Sequence, residues 1–190
     1  MASADTPTQL LDRAQALVQS RGFNAFSYKD LAASVGIRTA SIHYHFPTKG
    51  DLGLALMQRY HAGLDNLLTQ LDQRRTSAKA RLRGLMDAYA ETEAQGAICL
   101  CGSLASDQET LGQDLSQAVT DYLDSTLQWV EKTLETGAAS GEFDLSAKPG
   151  DLAVSLVASL QGALLLSRAA DRGSIVGRVR RTFLHSLGVA

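Results

Sequence analysis

Residues 27–46 read SYKDLAASVGIRTASIHYHF, and this stretch predicts two short helices that meet at a glycine. Ser27 and Asp30 have the spacing of a capping box, in which each side chain binds the backbone N–H of the other residue. Gly36 is suited to ending the first helix, because glycine enters the left-handed conformation with little strain. The stretch therefore predicts a helix, a tight turn and a second helix.

The spacing inside this stretch favours a helix-turn-helix. Ala32, Gly36 and Ile42 stand at the offsets of the close-approach, turn and anchoring positions of such a motif. The second helix then presents small and hydrogen-bonding groups, which are Arg38, Thr39, Ala40, Ser41, His43, Tyr44 and His45. A helix presented in this way fits the major groove of DNA and reads base edges with its N-terminal residues. The alternative is an ordinary corner between two helices of a helical protein.

Apolar residues recur at helical spacing along most of the remaining chain, so the predicted fold class is all-α. A first helix is expected from Thr6 to Gly22, and it completes a three-helix N-terminal unit. The further helices are expected from residue 49 onward, from 82 to 95, from 114 to 137, from 150 to 171 and from 174 to 188. We divide the chain into residues 1–52 and residues 53–190 on this basis.

Composition and charge are those of a folded soluble protein. Apolar residues make up 45% of the 190 residues and charged residues 20%. The first nine residues lack signal-peptide character, and Ser155, Ser159, Gln161 and Gly162 interrupt the longest apolar run, so we expect a cytoplasmic protein without a membrane partner. Residues 1–59 hold six basic and four acidic side chains, against twelve and sixteen in residues 60–190, a distribution whose sign suits DNA binding by the N-terminal part.

Lys49 follows the helix-turn-helix and lies in the predicted first turn of the next helix. Backbone N–H groups and an ammonium at this position can together hold a phosphate of DNA. The alternative is a solvated surface lysine.

The last two predicted helices are the most apolar, and small residues lie between their large ones. Ala153, Ala158, Gly162 and Ala163 permit close approach of another helix. These faces belong either to the core of one chain or to a two-fold interface between two copies. We predict an interface, since helix-turn-helix proteins usually bind paired half-sites as dimers.

The N-terminal part resembles the TetR family of bacterial transcriptional regulators. The resemblance covers a first helix that ends in RGF and the run SYKDLAASVGIRTASIHYHFPTKGDL. It implies an all-helical homodimer with a DNA-binding domain at residues 1–52 and an effector-binding and dimerisation domain at 53–190. It also implies that an effector changes the spacing of two recognition helices on a palindromic operator in double-stranded DNA.

Carried over by motif position, the DNA-facing residues include Tyr28 and Lys29 at the start of the second helix. The resemblance also places Thr39, Ala40, Ser41, His43, Tyr44 and His45 on the recognition helix and Lys49 on a phosphate. One departure concerns residue 43, where most relatives have a tyrosine. This chain has His43 there, with Tyr44 next.

Cys99 and Cys101 are the only two cysteines. No other metal-ligating side chain has suitable spacing, and a disulfide between them would be strained, so no metal site and no cofactor is predicted. The segment CLCGSLA resembles a cysteine-bearing motif, GCLLGNLA, of relatives that respond to electrophiles or oxidants, and Cys99 has the matching position. The alternative is a pair of small buried core residues.

The leading functional hypothesis is a repressor that leaves its operator on binding a small molecule or on thiol modification. Candidate pocket residues, which helical spacing also explains as plain core, are Leu85, Met86, Tyr89, Tyr122, Leu123 and Trp129. Two alternatives come from other classes. A thiol-dependent enzyme would need a base near Cys99 or Cys101, and the neighbouring sequence offers no histidine, so we expect no enzyme. A helical adaptor would bind protein through the N-terminal unit.

Overall fold

The computed structural model describes residues 6–74, 77–170 and 173–188, and every regular element within these ranges is helical. The predicted all-α class is confirmed. A short 3₁₀ turn at Gln108–Thr110 precedes the seventh helix. The α-helices of the described ranges are α1 (Thr6–Arg21), α2 (Tyr28–Val35), α3 (Thr39–His45), α4 (Lys49–Arg74), α5 (Ala78–Ala94), α6 (Leu100–Ala105), α7 (Gln113–Ala139), α8 (Pro149–Ala169) and α9 (Ile175–Ser186).

The helices pack into two compact units. One unit contains Met1–Ala62 and Leu100–Tyr122, and the other contains Gly63–Cys99 and Leu123–Ala190. Helices α4 and α7 therefore contribute residues to both. The predicted domain boundary at residue 52 divides the sequence into two consecutive parts. The packing units differ from these parts, since α6 and the first part of α7 pack with the N-terminal helices. The boundary stays a prediction.

The first unit is built on the buried face of α1. Leu10, Ala14 and Val18 are fully buried at helical spacing. Helix α6 packs on α1, and the buried Ser103 hydroxyl donates a hydrogen bond to the carbonyl of Val18 at 3.2 Å. Gly53 lets α4 come close to the Leu115 side chain of α7, because a Cβ at residue 53 would lie only 2.6 Å from that side chain. Segments far apart in sequence therefore support the same small unit.

In the second unit α5 begins at Ala78, four residues before the predicted start at residue 82. The Ser77 hydroxyl accepts a hydrogen bond from the N–H of Ala80 at 3.1 Å. The Glu142 carboxylate accepts from the N–H groups of Ala78 and Lys79 at 3.1 and 3.2 Å. The first N–H groups of a helix have no acceptor within the helix, and Ser77 and Glu142 supply acceptors for them. Glu142 lies in the loop after α7.

Helix α8 has one packed face and one exposed apolar face. Leu156, Leu160 and Leu164 are buried, and the helix packs against α5 and α9. By length and composition α8 is also apolar enough to cross a membrane, with a mean hydropathy of 1.5. A core helix meets the same criterion, and the packing of α8 within the second unit accounts for its buried face. Its opposite face exposes the side chains of Val154, Leu165 and Leu166.

Candidate DNA-binding surface and sensor residues

Helix α2 begins and ends as the sequence predicts. The Asp30 carboxylate accepts a hydrogen bond from the Ser27 N–H at 2.7 Å, and the Ser27 hydroxyl accepts from the Asp30 N–H at 3.3 Å. Hydrogen bonds from Ser27 hold the pKa of Asp30 below its usual value. At the other end Gly36 has φ = 78°, and its N–H donates to the carbonyl of Ala32 at 2.9 Å. The predicted capping box and glycine turn are confirmed.

Helix α3 has one buried anchor and an exposed outer face. Ile42 is fully buried, as its anchoring position predicts, whereas Tyr44 is 83% exposed. The backbone of Arg38 caps α3 in an extended conformation, and its carbonyl accepts from the Ser41 N–H at 3.0 Å. Among the remaining candidates, Lys29, Arg38, Ala40 and His43 are exposed, and Thr39, Ser41 and His45 are partly exposed.

The Tyr28 side chain is buried, and its DNA contact stays a prediction. It is 9% exposed, and its hydroxyl donates to the carbonyls of Phe46 and Thr48 at 2.9 and 2.5 Å. Burial, with a smaller contribution from the charge of Asp51, raises its pKa to about 12. The hydroxyl therefore remains a donor at any ordinary pH. Tyr28 is a positioning residue for the turn that follows α3.

His43 binds the same turn through its imidazole ring. Its Nδ1 lies 3.0 Å from the carbonyl oxygen of Pro47, and its ring meets the edge of Tyr28 with centroids 4.8 Å apart. Side chains from α2 and α3 thus hold three consecutive carbonyls, those of Phe46, Pro47 and Thr48. We call this arrangement the carbonyl clamp. It fixes the C-terminal end of α3 to the start of α4.

The Lys49 side chain is partly buried and is not the solvated surface lysine that was the alternative to a phosphate contact. Its ammonium donates to the carbonyl of Phe26 and lies 4.9 and 4.4 Å from the ring centroids of Phe23 and Phe26. Burial lowers its pKa, and the charge of Asp107 offsets part of that shift. Because aromatic faces and a carbonyl stabilise the ammonium here, Lys49 fastens the α1–α2 connection to α4. The phosphate contact of Lys49 stays a prediction.

The two cysteines are buried, and neither forms a disulfide within the described chain. Cys99 is 3% exposed and belongs to the second unit, whereas Cys101 is fully buried in the first. The Cys101 thiol lies 3.7 Å from the carbonyl oxygen of Val119. No group of three or more His, Cys, Asp or Glu side chains among the described residues is placed to hold a metal ion.

The six candidate pocket residues do not fall into one unit. Tyr122 belongs to the first unit and stacks on Tyr60 with centroids 5.1 Å apart. The other candidates lie in the second unit: Leu85, Met86 and Tyr89 are buried, and Leu123 and Trp129 are partly exposed. The Trp129 indole N–H donates to the Asp72 carboxylate at 3.1 Å. Their role in effector binding stays a prediction.

Sequence reasoning missed the residues that connect distant segments. Asn24, after α1, donates to the Thr110 hydroxyl at 2.9 Å. Glu93 on α5 accepts from the N–H groups of Ile175 and Val176 at 2.7 and 3.1 Å, and so caps α9. Burial raises the pKa of Glu93, but the Ser167 and Ser174 hydroxyls and these N–H groups outweigh it and leave the pKa lowered. Because these hydrogen-bond partners are far apart in sequence, no short sequence motif indicates them.

Comparison with known proteins assigns an N-terminal and a C-terminal segment of the chain to one family. The model described as "Bacterial regulatory proteins, tetR family" matches residues 10–56. The model described as "Tetracyclin repressor-like, C-terminal domain" matches residues 78–183. The first match contains the whole of α2 and α3, and the second extends from the start of α5 into α9.

Individual relatives agree with this assignment over most or all of their lengths. The crystal structure of a TetR transcriptional regulator from Legionella pneumophila is 30% identical, with a TM-score of 0.89 over 98% of this chain and 100% of that one. The HTH-type transcriptional repressor DhaR of Mycobacterium sp. (strain GP1) is 26% identical over 87% of this chain and 83% of its own length. The HTH-type transcriptional repressor NemR of Escherichia coli K12 is 25% identical over 86% and 84%. The chain belongs to the TetR family of bacterial transcriptional regulators.

Proposed function

We propose that this regulator is a cytoplasmic homodimer that represses transcription from a palindromic operator and leaves it when an effector binds. The observation that carries the proposal is the outer face of α3, which lies exposed beside the Gly36 turn while Ile42 anchors the helix from beneath. Its activity is binding and not catalysis, in keeping with relatives that are transcriptional regulators.

The proposed DNA contacts follow from position along α3. Thr39, Ala40 and Ser41 form its N-terminal turn, the part of a recognition helix that reads base edges. Lys29 and Arg38 are exposed cations on either side of the Gly36 turn, and cations at these places suit phosphates. Tyr44 supplies an exposed ring and hydroxyl for the backbone or a thymine methyl group.

The homodimer is proposed through α8 and α9. Val154, Leu165 and Leu166 are 54%, 58% and 60% exposed. Large apolar side chains exposed at helical spacing are typical of a surface that another protein covers. A second copy of the same face satisfies two-fold symmetry.

Two routes of release are proposed, and they require different sites. A small molecule would bind among the candidate pocket residues of the second unit, which are Leu85, Met86, Tyr89, Leu123 and Trp129. An electrophile would modify Cys99, whose burial requires the segment before α6 to open first. In the first unit, α6 packs on α1 through Ser103 and Val18, so displacement of this segment would disturb the support of α2 and α3.

A salt-titrated binding assay tests the proposal. The DNA upstream of the protein's own gene is compared with a scrambled duplex of equal length and composition. We expect a sequence-specific complex whose log affinity falls linearly with log salt. Equal affinity for both duplexes at every salt concentration would refute operator recognition.

Tyr44→Ala is expected to weaken operator binding about tenfold, the size of one lost hydrogen bond to a charged group. Tyr44 is 83% exposed, so the fold should not change. Affinity is measured by fluorescence anisotropy, and helicity by circular dichroism. Gln58→Ala, at an exposed position of α4, is the matched control. Unchanged affinity of the Tyr44 variant would remove it from the contact surface.

Cys99→Ser is expected to abolish the loss of operator binding that diamide or a quinone causes in the parent protein. The reason is that a hydroxyl forms neither a thioether adduct with the quinone nor, with diamide as the oxidant, a disulfide with a thiol of another molecule. Cys101→Ser, at the fully buried neighbouring thiol, is expected to keep the response. If Cys99→Ser still loses operator binding under either reagent, Cys99 is a core residue and release depends on another site.

A further inference from the structure

The hydrogen bond between His43 and Pro47 fixes which imidazole nitrogen carries the proton. The Pro47 carbonyl oxygen can only accept, so Nδ1, 3.0 Å away, must donate. In a neutral imidazole the other nitrogen, Nε2, then carries a lone pair and no proton. At neutral charge, His43 therefore offers an acceptor to anything that approaches Nε2.

The position of His43 makes this acceptor significant. His43 is exposed and lies in the last turn of α3. In a recognition helix the N-terminal residues meet base edges, and the groups around them position the helix on the backbone. Phosphate oxygens are acceptors only, so a neutral His43 with Nε2 deprotonated would repel the phosphate that its position favours.

We propose that His43 binds an operator phosphate through Nε2 only after taking up a proton, so that operator binding is coupled to protonation of this residue. The inference rests on the proposed DNA-binding function of α3. On binding, one proton moves from solvent to Nε2, and the imidazolium donates from Nδ1 to Pro47 and from Nε2 to the phosphate. On release the proton returns to solvent. No covalent bond changes apart from the N–H bond.

The groups around His43 are compatible with a cation. Tyr28, the ring packed against it, remains neutral because its pKa is raised to about 12. From α4, Asp51 is held by the Thr48 N–H at 2.8 Å, and Lys49 is turned towards Phe26.

The other charged groups nearby belong to α2 and α3. Lys29 and Asp30 lie on α2, with Asp30 bound to Ser27, while Arg38 precedes α3 and His45 ends it. The carbonyl end of α3 itself favours positive charge.

The test measures operator affinity from pH 6 to pH 8 at constant salt. Affinity of the parent protein should rise about fivefold from pH 7.5 to 6.5, since uptake of one proton gives at most tenfold per pH unit. His43→Gln and His43→Tyr donate without taking up a proton, so both should lose this dependence. His61→Gln, at a partly exposed histidine of α4 outside the proposed contact surface, is the matched control and should keep it.

A second readout separates a phosphate from a base as the partner of His43. An added phosphate contact steepens the dependence of log affinity on log salt by about 0.9. We expect this steepening in the parent protein at pH 6 relative to pH 8, and not in His43→Tyr. Where a variant binds too weakly to titrate, calorimetry of the parent protein in two buffers of different ionisation enthalpy counts the protons directly.

Three results would overturn the inference while leaving operator recognition intact. These are a flat pH profile of the parent protein, an equal profile in His43→Tyr, and calorimetry that finds no proton uptake. Absence of sequence-specific binding at every pH would instead refute the proposed function itself.

Discussion

Replacing Leu165 and Leu166 together by glutamate is expected to make the protein monomeric and to weaken operator binding about a hundredfold. Two linked binding units have an affinity for paired sites that exceeds the affinity of separate units by this factor or more. Both side chains are more than half exposed on α8, at 58% and 60%. The substitutions should therefore leave the fold of the chain unchanged. Two negative charges on each copy would face each other across a two-fold interface, where they repel and lose hydration.

The measurements are sedimentation equilibrium for the oligomeric state and anisotropy for operator affinity. Lys132→Glu is the matched control, since it changes the charge by the same two units at an exposed position of α7. We expect the control to remain a dimer with parental affinity. A double variant that remains dimeric would show that the dimer forms through another surface. A monomeric variant with parental affinity would show that one copy suffices for operator binding.

Tyr28→Phe is expected to lower the free energy of unfolding by about 1–3 kcal/mol, the cost of leaving a buried acceptor without its donor. One hydroxyl donates to the carbonyls of both Phe46 and Thr48, and phenylalanine keeps the ring but removes this donor. The substitution therefore opens the carbonyl clamp without creating a cavity.

Operator affinity of Tyr28→Phe should fall about tenfold, which corresponds to 1.4 kcal/mol, whereas affinity for non-specific DNA should change little. The reason is that a loosened turn changes the orientation of α3 without removing a cation from the surface. Urea unfolding gives the stability, and the ratio of operator to non-specific affinity gives the effect on recognition. Tyr44→Phe controls for loss of an exposed hydroxyl and should not change stability. A destabilised Tyr28→Phe with a parental affinity ratio would show that the clamp does not orient α3.

The features of the helix-turn-helix that depend on local sequence could be predicted. Ser27 and Asp30 are three residues apart, and Gly36 needs only its own backbone conformation, so short-range patterns suffice for both. The burial of Ile42 follows from its spacing to the turn. Helical periodicity likewise gave the all-α class, because each long helix has one buried face.

The sequence does not predict where the side chains of Tyr28 and Lys49 lie, because segments outside their own helices decide it. Both residues have the motif positions of predicted DNA contacts. The Tyr28 hydroxyl donates to the carbonyls of Phe46 and Thr48. The Lys49 ammonium lies against the rings of Phe23 and Phe26.

The start of α5 was misplaced for the same physical reason. The carboxylate of Glu142 caps it from more than sixty residues away. Burial and hydrogen bonding of this kind depend on packing, which periodicity does not specify.

The proposed function requires that α3 of a two-fold dimer reads a specific operator. Selection of random genomic fragments by the full-length protein, followed by sequencing of the bound DNA, tests it most directly. We expect enrichment of a palindromic motif whose half-sites lie about 34–36 Å apart or a multiple of that distance, which places both recognition helices on the same side of the duplex. Bound DNA with the sequence composition of the starting fragments would contradict it.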